Sequence, residues 1–484
     1  MTEISKTYIA LYPDGHNEKI VLGELLHKGG AAGKIYCDAS HEKSVAKIFH
    51  DREHSDINRK KLQAMLHNRP DIPAIKKDNI EYIQIAWPTA LLEDEQGFCV
   101  GYLMPLIDTE QAISLDYLIQ KAVRKKLNLP ENYAYRLLAA FNITSVVAAL
   151  HACGHYIVDL KPSNVSVYKK NMYVALFDCD GFSIQGENNE RYPAEFVSEE
   201  YIYPEGMQQN CKDMGEEQDK FALAVIIFKL LNEGIHPFSG TPRKKEDMLS
   251  IQERIAQYHY AYGFWPDQYQ APHPYSIHDY LDKETMNLFE RAFGKATQRP
   301  SALEWQEHLE YLWNHRRQCK KNKNHLYFTP KGCGLCIVAE KLKIQLDNYK
   351  KQQEEAQTVR GLDIDKLSQE IPIENKTEKA HIKHLQDSFF YLFSGAYFLF
   401  FTFLYKMVSP LRNFLLEYGI FAQLFLIVLL VSSINFVLAK IASHQTTSKQ
   451  HNILSMLQIY AYICIIIAYI TINGLPFDLF KLAE

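Results

Sequence analysis

Three long apolar segments occupy the C-terminal hundred residues of this 484-residue chain. They are Ser388–Tyr405, Tyr418–Ala439 and Ile453–Leu475, which contain 18, 22 and 23 residues and no charged side chain. A helix needs about 20 apolar residues to cross the hydrocarbon core of a bilayer. Three such segments in succession, with little polar sequence between them, favour membrane spans over buried core helices. We therefore predict three transmembrane helices within residues 388–475.

The basic residues that flank these segments predict their orientation. Five lie on the side of the N-terminal region: Lys376, Lys379, Lys383, Lys440 and Lys449. Three lie on the opposite side: Lys406, Arg412 and Lys481. Cytoplasmic flanks carry an excess of Lys and Arg. The N-terminus has no basic patch followed by an apolar run, so we expect no secretory signal there. The chain is thus predicted to be a multi-pass protein of the inner or plasma membrane, with its N-terminal region in the cytoplasm and membrane lipid as a partner.

Charge and cysteine content exclude other classes of protein. The formal net charge is -4 and the pI about 6.6, whereas nucleic-acid binding calls for a basic domain, so we expect no nucleic-acid partner. The nine cysteines are mostly isolated, which disfavours a disulfide scaffold and favours a reducing compartment.

The hydrophobic pattern changes near residue 105. Before it, alternation predicts strands and one helix, at Lys19–Leu26, Lys34–Cys37, Ser44–Phe49, Ile83–Leu91, Phe98–Met104 and, for the helix, Ile57–Leu66. After it, spacing near 3.6 residues predicts amphipathic helices at Tyr133–His151, Lys220–Asn232, Asp247–Tyr258, Lys283–Phe293 and Ala302–His315. A small β-rich part followed by a larger helical part predicts two lobes and an α+β fold.

The segment Asp159-Leu160-Lys161-Pro162-Ser163-Asn164 has the residues that phosphoryl transfer needs. Transfer to a hydroxyl requires a carboxylate for the hydroxyl proton, oxygen ligands for magnesium and a cation near the transferred phosphate. We assign Asp159 to the proton, Asn164 to the metal and Lys161 to the phosphate. Asp159 and Lys161 are therefore the predicted catalytic residues.

A second carboxylate follows a predicted buried strand, Tyr173–Phe177. Asp178 lies 14 residues after Asn164, at the end of that strand, where a second magnesium ligand is expected. Asp180, two residues later, is either a satisfied turn residue or an additional ligand, and the spacing favours Asp178.

A glycine-containing loop and a strand lysine precede these motifs. Gly29, Gly30 and Gly33 lie between two predicted strands, where small residues let backbone N–H groups approach phosphates. Lys47 follows in the otherwise apolar strand Ser44–Phe49, and because a lysine is rarely buried without a partner, an anionic nucleotide explains it. An ordinary hairpin turn remains the alternative for the loop alone.

In this order the motifs resemble the bacterial eukaryotic-like (Hanks-type) serine/threonine protein kinases, over residues 18–315. The resemblance implies ATP and Mg²⁺ as cofactors, a protein substrate, and Met104 at the hinge that binds adenine. Tyr203-Pro204-Glu205 resembles the end of the activation loop, Asp219 the buried aspartate of the central helix, and Arg299 the partner of Glu205. The lysine two residues after the catalytic aspartate, Lys161, resembles the pattern of serine/threonine kinases rather than that of tyrosine kinases.

The chain departs from this family at several positions. His27 stands where the first loop glycine is usual, and Ile157-Val158 replaces His-Arg before Asp159. Without that arginine we expect no switch by activation-loop phosphorylation. The helix Ile57–Leu66 offers no evident glutamate for Lys47, since Glu53 and Asp56 lie too close in sequence. A nucleotide-binding pseudokinase that acts as a membrane scaffold is therefore the alternative function, and a kinase-regulated channel or sensor a third.

A Cys/His cluster follows the kinase-like region. Its members are Cys319, His325, Cys333 and Cys336. Three thiols and an imidazole suit a closed, tetrahedral, structural zinc site, and unrelated free cysteines are the alternative. The segment resembles that of a bacterial kinase-like family with a C-terminal zinc-ribbon-like element. That resemblance implies a metal-dependent protein phosphatase as a partner.

Together these observations predict a membrane-anchored, ATP-dependent serine/threonine kinase with five parts. They are a kinase N-lobe at 1–105, a C-lobe at 106–315, a zinc-ribbon-like knuckle at 316–340, a charged juxtamembrane linker at 341–387, and three transmembrane helices within 388–475. The linker is expected to be a solvated helix or disordered.

Overall fold

The computed structural model describes residues 7–27, 33–50, 54–244, 248–295 and 298–369. Tertiary contacts group Met1–Gln357 into one unit and assign Thr358–Glu484 to a second, of which the residues up to Gln369 are described. In the first unit a β-rich lobe precedes a larger, mainly helical lobe. This order of elements agrees with the predicted α+β class.

The smaller lobe is built around a barrel. The strands described in it are β1 (Thr7–Leu11), β2 (Asn17–His27), β3 (Gly33–Asp38), β4 (Ser44–Phe49), β5 (Ile75–Lys77), β6 (Ile80–Tyr82), β7 (Ala90–Glu93) and β8 (Cys99–Pro105). Antiparallel pairing closes six of them in the order β1-β2-β3-β4-β8-β7, while β5 pairs with β6. Because side chains alternate along a strand, Ala46 packs inside the barrel and its neighbour Lys47 points away from it.

Helix α1 (Ser55–His67) packs beside β7 and β8. Its buried residues Leu62 and Met65 belong to the large hydrophobic core. The indole Nε1 of Trp87 donates a hydrogen bond to the Met65 carbonyl at 2.9 Å. The helix therefore rests on the sheet through apolar packing and a buried hydrogen bond.

The predicted strand Ile83–Leu91 is wrong. Ile85 forms only an isolated bridge with Leu176, and β7 begins at Ala90. Pro88 interrupts the apolar run, and because proline has no N–H to donate, it is disfavoured in a strand interior. The apolar character of this run reflects burial of Trp87 and its neighbours rather than strand pairing.

The larger lobe contains most of the helices. They are α2 (Leu115–Ile119), α3 (Lys121–Lys126), α4 (Tyr133–Ala152), α5 (Glu216–Leu231), α6 (Ile251–Ala256), α7 (Lys283–Phe293) and α8 (Ala302–Asn314). Short strands connect them: β9 (Ala112–Ser114), β10 (Val165–Tyr168), β11 (Val174–Leu176), β12 (Ile184–Gln185), β13 (Arg191–Tyr192), β14 (Gly240–Pro242) and β15 (Gln270–Pro272). Helix α5 is apolar nearly all round and lies at the centre, as such a helix must. Phe221 and Phe228 of α5 pack against Phe289 and Phe293 of α7.

Side-chain caps set the helix boundaries in this lobe. Ser301 and Glu304 form a capping box at the start of α8, and the Asp282 carboxylate accepts from two N–H groups at the start of α7. A capping box of Ser250 and Glu253 likewise starts α6. The helix predicted at Asp247–Tyr258 is consequently shorter, because its first turn begins only after Ser250.

The chain continues through a short hairpin, β16 (Arg317–Gln318) and β17 (Leu326–Tyr327), into the long helix α9 (Gly334–Gln369). This helix runs across residue 340, where we placed the end of the knuckle. The predicted membrane spans and residues 370–387 lie outside the described residues. Among the described helices, α4 is long and apolar enough to cross a membrane by length and composition, and more than half of it is buried in the lobe.

Candidate active site

Lys47 lies in the cleft between the lobes, with 5% of its surface exposed. In the ladder of β4 and β8 it is opposite Tyr102. Its ammonium group is 2.7 Å from the Asp180 carboxylate and 3.2 Å from that of Asp178. Burial alone would lower the pKa of Lys47, but the two carboxylates, Asp180 first, raise it above its usual value. Lys47 is therefore held as a cation.

Asp178 and Asp180 follow β11 and differ in environment. Asp178 has the left-handed conformation with φ 53° and begins a tight turn, Cys179–Gly181. The Asp178 side chain is 63% exposed and the Asp180 side chain 11%. The buried Tyr102 hydroxyl donates to Asp180 at 2.8 Å. Two carboxylates separated by a single residue, Cys179, thus face solvent and interior respectively.

The loop that carries Asp159 is fixed by Asp219, at the N-terminus of α5. The fully buried Asp219 carboxylate accepts from the backbone N–H groups of Ile157 and Val158, both at 2.7 Å. It also lies 3.0 Å from Nε2 of His151. Val158 has a φ of 63°, an uncommon conformation for a β-branched residue, and such strained residues persist where the surroundings determine them. The predicted place of Asp219 as the buried aspartate of the central helix is confirmed.

The side chains around Asp159 form a continuous polar group. Lys161 Nζ is 2.7 Å from Asp159 Oδ2 and donates to the Ser198 hydroxyl at 2.8 Å. The Asn164 Nδ2 group donates to the Asp159 carbonyl at 3.0 Å and lies 3.3 Å from its Oδ2, which leaves the Asn164 Oδ1 oxygen as an acceptor. Asp159 Oδ1 is buried and has no hydrogen-bond partner among the described residues. A buried polar atom without a partner costs about 1–3 kcal/mol of stability. A catalytic role is one explanation for such an atom in a native protein.

The predicted loop residues are only partly described. Gly29 and Gly30 lie outside the described residues. Gly33 begins β3 opposite Phe49, and a Cβ built on it would lie 2.5 Å from the Ile48 carbonyl oxygen. Close strand packing by itself therefore requires glycine at position 33. Met104 is buried near the end of β8 and pairs with Val45. The phosphate and adenine roles of these residues stay predictions.

The structure brings together the described members of the predicted constellation and adds three that the sequence did not single out. Lys47 pairs with Asp178, and Asp159 contacts Asn164 and Lys161. The two groups are joined through the backbone, because the N–H of Phe177, next to Asp178, donates to the Asn164 carbonyl at 3.2 Å. The added residues are Tyr102, Asp180 as a partner of Lys47, and Ser198. Ser198 carries no motif by which it could have been found, since its position depends on the path of the chain between Asp178 and Glu205, here called the activation segment. Tyr102 could have been suspected from its place opposite Lys47 in a strand pair.

The larger lobe also contains the predicted ion pair between Arg299 and Glu205. Arg299 donates to Glu205 at 2.6 Å and lies 3.3 Å from Glu217. Burial would raise the pKa of Glu205, but a backbone hydrogen bond and the Arg299 guanidinium lower it below the usual value. The predicted pairing of Arg299 with Glu205 is confirmed.

The Cys/His cluster converges in space. The ligand atoms of Cys319, His325, Cys333 and Cys336 all lie within 4.8 Å of one another. The Cys319 and Cys336 sulfurs are 3.6 Å apart, and His325 Nδ1 lies 3.3 Å from the Cys336 sulfur and 3.6 Å from that of Cys333. Zinc–sulfur bonds of about 2.3 Å in a tetrahedron give sulfur–sulfur edges of about 3.8 Å. The donor set and its spacing therefore fit one zinc ion.

The cluster is attached to the larger lobe. The Tyr133 N–H, at the start of α4, donates to the Asn324 carbonyl at 2.8 Å. Lys331 donates to the Asp279 carbonyl at 2.8 Å, and the Phe328 ring contacts Tyr133. Asn322 lies 3.2 Å from the second ring nitrogen of His325, where an outer partner orients a metal-binding imidazole. The knuckle is thus packed on the lobe rather than suspended from it.

A β-rich lobe with a strand lysine, joined to a helical lobe with the loop Asp159–Asn164 and with Asp178 after a strand, defines a protein-kinase-type fold. The comparisons with known proteins agree. Residues 102–312 match the family model of the protein kinase domain. The chain therefore contains a protein kinase domain, and the predicted resemblance to the bacterial eukaryotic-like kinases is confirmed.

The similar curated proteins are bacterial protein kinases. The chain is 28% identical over 332 residues to "Protein kinase YegI" of Escherichia coli (strain K12), which covers 64% of this chain and 47% of that relative. The protein of the same name from Escherichia coli O157:H7 matches with the same identity and coverage. The chain thus spans about half the length of the curated relatives it matches. The similarity to kinases with a zinc-ribbon-like segment stays a prediction.

Proposed function

We propose that this chain is a membrane-anchored serine/threonine protein kinase that transfers the γ-phosphoryl group of Mg-ATP to a protein hydroxyl. The observation that carries the proposal is the placement of the Lys47–Asp178 pair next to the group formed by Asp159, Asn164 and Lys161. The hydrogen bond from the Phe177 N–H to the Asn164 carbonyl joins the two. Each of these side chains has a chemical function in phosphoryl transfer, and the residues come from three separate parts of the sequence.

Asp159 is assigned to the hydroxyl of the protein substrate. Its Oδ2 is engaged by Lys161, whereas its Oδ1 has no partner within the described residues. The Asp159 carboxylate as a whole is 21% exposed, so it is suited to orient a substrate hydroxyl and to accept its proton. Lys161, held between Asp159 and Ser198, supplies positive charge next to the position of the transferred phosphate.

Magnesium would be held by the Oδ1 oxygen of Asn164 and the exposed carboxylate of Asp178, because hard cations prefer oxygen ligands. Bound magnesium neutralises phosphate charge in phosphoryl transfer. Lys47 would bind the nucleotide phosphates, and Met104 lies where the strand leads into the connection between the lobes. Gly29, Gly30 and Gly33 complete the proposed nucleotide site.

The serine/threonine assignment is supported by the position of Lys161. This lysine lies two residues after Asp159 and contacts Ser198 of the activation segment. Lys161 and Ser198 lie next to the proposed position of the substrate hydroxyl, so they influence whether serine, threonine or tyrosine is phosphorylated. Phosphoamino-acid analysis of a phosphorylated protein substrate tests the assignment, with phosphoserine or phosphothreonine as the expected product and phosphotyrosine alone as the contradicting one.

Three further parts of the proposal concern the C-terminal region. The Cys319, His325, Cys333 and Cys336 cluster would hold a structural zinc ion, because four protein ligands leave no open position for catalysis. The three apolar segments would anchor the chain in the membrane, with the kinase domain in the cytoplasm. A metal-dependent protein phosphatase is the partner implied by the resemblance to zinc-ribbon kinases.

Phosphoryl transfer by the purified full chain tests the proposed activity. With labelled ATP and magnesium, we expect label on the protein itself or on an added protein substrate. Asp159→Asn should reduce this transfer about 100-fold or more, while Asp347→Asn, an exposed carboxylate on α9, should leave it unchanged. ATP binding without transfer in the wild type would instead support a pseudokinase scaffold.

A further inference from the structure

Helix α1 has no carboxylate that faces Lys47. Its single acidic residue, Asp56, is exposed in the first turn. Arg59 of the same helix contacts Glu93 and donates to the Gly97 carbonyl. Lys61 donates to the Pro193 carbonyl of the activation segment at 3.3 Å. The side of α1 that approaches Pro193 thus presents Lys61 rather than a carboxylate, and the carboxylates that contact Lys47 in the described structure come from elsewhere.

We propose that Asp180, held by the Tyr102 hydroxyl, is the positioning residue for Lys47, so that the ion pair at the nucleotide site forms without any carboxylate from helix α1. This inference rests on the proposed function, because it assigns Lys47 to the ATP phosphates. It concerns a different carboxylate from the metal ligand Asp178 and a different residue from the catalytic Asp159.

The environments of the two aspartates separate their roles. Asp178 is 63% exposed and its contact with Lys47 is the longer one, at 3.2 Å. Asp180 is 11% exposed and lies 2.7 Å from the ammonium group. A metal that arrives with a nucleotide needs an accessible carboxylate, whereas a permanent ion pair needs a buried and well-oriented one. Asp178 meets the first requirement and Asp180 the second.

Tyr102 fixes the orientation of Asp180. Its hydroxyl donates to the same Oδ1 oxygen that contacts Lys47. Burial, and then the charge of Asp180, raise the pKa of Tyr102 well above its usual range, so the hydroxyl keeps its proton. Lys47 and Tyr102 are opposite each other in neighbouring strands. The β4–β8 pair thus presents two donors to one carboxylate at a fixed spacing.

Helix α1 is held in place by contacts that do not involve Lys47. Ser55 accepts from the Cys99 N–H at 2.8 Å, and Met65 accepts from Trp87 at 2.9 Å. Arg59 adds the ion pair with Glu93. Among the described residues, the Lys47 pair is therefore assembled by the sheet and the Asp178–Asp180 turn. Movement of α1 is not needed to complete it.

Binding of Mg-ATP to the full chain, measured by calorimetry, tests the proposal without requiring phosphoryl transfer. Asp180→Asn should weaken binding about tenfold, the effect of one charge-assisted hydrogen bond, and Tyr102→Phe should weaken it by a smaller factor. Asp56→Asn serves as the matched control on α1 and should leave the affinity unchanged. In a Lys47→Met background, Asp180→Asn should have little further effect, because both changes remove the same interaction.

Several outcomes would overturn the proposal. Unchanged Mg-ATP affinity of a folded Asp180→Asn variant would do so, as would additive effects of Lys47→Met and Asp180→Asn. A large loss in Glu53→Gln, a residue outside the described part of the chain, would show that the partner precedes α1. If Asp180→Asn raised the magnesium concentration needed for half-maximal binding, Asp180 would be a metal ligand instead. Absence of phosphoryl transfer in every variant, including the wild type, would contradict the proposed function and leave this binding test intact.

Discussion

The Arg299 guanidinium lies 2.6 Å from the Glu205 carboxylate and fastens the end of the activation segment to the chain between α7 and α8. The Arg299 side chain is 6% exposed, and its guanidinium also lies over the rings of Tyr203 and Phe221. A buried cation that depends on so few anions makes the pair sensitive to the loss of either member.

Replacing Glu205 by alanine should therefore destabilise the larger lobe. Arg299 would keep only the longer contact with Glu217 as a charged partner in the described structure, and we expect a loss of about 1–3 kcal/mol in the free energy of unfolding. Urea unfolding of the full chain in detergent measures it. Glu310→Ala, an exposed carboxylate on α8, is the control and should change the stability little. Equal stability of the two variants would show that the pair contributes nothing.

The Cys/His cluster predicts a metal content and a stability effect. Freshly purified, reduced protein should contain about one zinc ion per chain. Cys333→Ser should remove the metal and lower the melting temperature, because the knuckle packs on Tyr133 at the start of α4. Cys37→Ser, a partly exposed cysteine outside the cluster, should keep both. Elemental analysis and thermal unfolding measure these quantities, and wild-type protein free of zinc would contradict the assignment.

Lys61 predicts a pH dependence of stability. Burial lowers its pKa to about 8, against a usual value of 10.5, although Asp180 and Glu195 partly oppose this and Lys47 adds to it. Between these two pH values the unfolded chain binds more protons at this site than the folded chain, so the folded state gains stability as pH rises. Below about pH 8 both states are protonated and the full cost of burying the charge is present.

Thermal unfolding of the wild type and Lys61→Met measures this effect. We expect the melting temperature of the wild type to rise relative to that of Lys61→Met between about pH 7 and about pH 9.5. Lys60→Met, which changes an exposed neighbour on α1, should show a difference that does not vary with pH. A constant difference for Lys61→Met as well would mean that Lys61 titrates normally.

The three apolar C-terminal segments predict integral membrane association. Chain expressed in cells should remain in the membrane fraction after extraction with alkaline carbonate, since removal of spanning helices requires detergent. Replacing two central residues of Tyr418–Ala439 by arginine should weaken this retention, because charge at mid-membrane is costly. Release of the wild-type chain by carbonate alone would contradict the spans.

Sequence patterns predicted the fold best where local signals and burial agree. Ser44–Phe49 and Lys283–Phe293 have the predicted bounds, because alternation in the first and an Asp282 cap before the second act on the chain locally. Ile83–Leu91 failed because burial of Trp87 gives the same apolar run as a strand. Strand β1 and the closure of the barrel were not predicted, since they depend on pairing between distant segments.

The candidate site shows the same division. Asp159, Lys161, Asn164 and Asp178 follow from motif chemistry and spacing alone. The partner of Lys47 could not be predicted in this way, because the pairing joins residues 133 positions apart. It also depends on which of two neighbouring aspartates turns inward. The family pattern predicts a carboxylate on α1, whereas the described contacts place Lys47 against the Asp178–Asp180 turn.

A crystal structure of the chain with a non-hydrolysable ATP analogue and Mn²⁺ in place of Mg²⁺ provides the final test. The anomalous signal of manganese should lie between the Asn164 and Asp178 oxygens, at distances typical of a divalent cation, with Lys47 against the nucleotide phosphates and the γ-phosphate facing Asp159. Nucleotide and manganese bound away from this cleft, or bound there without contact to Asn164 and Asp178, would contradict the proposed phosphotransferase site.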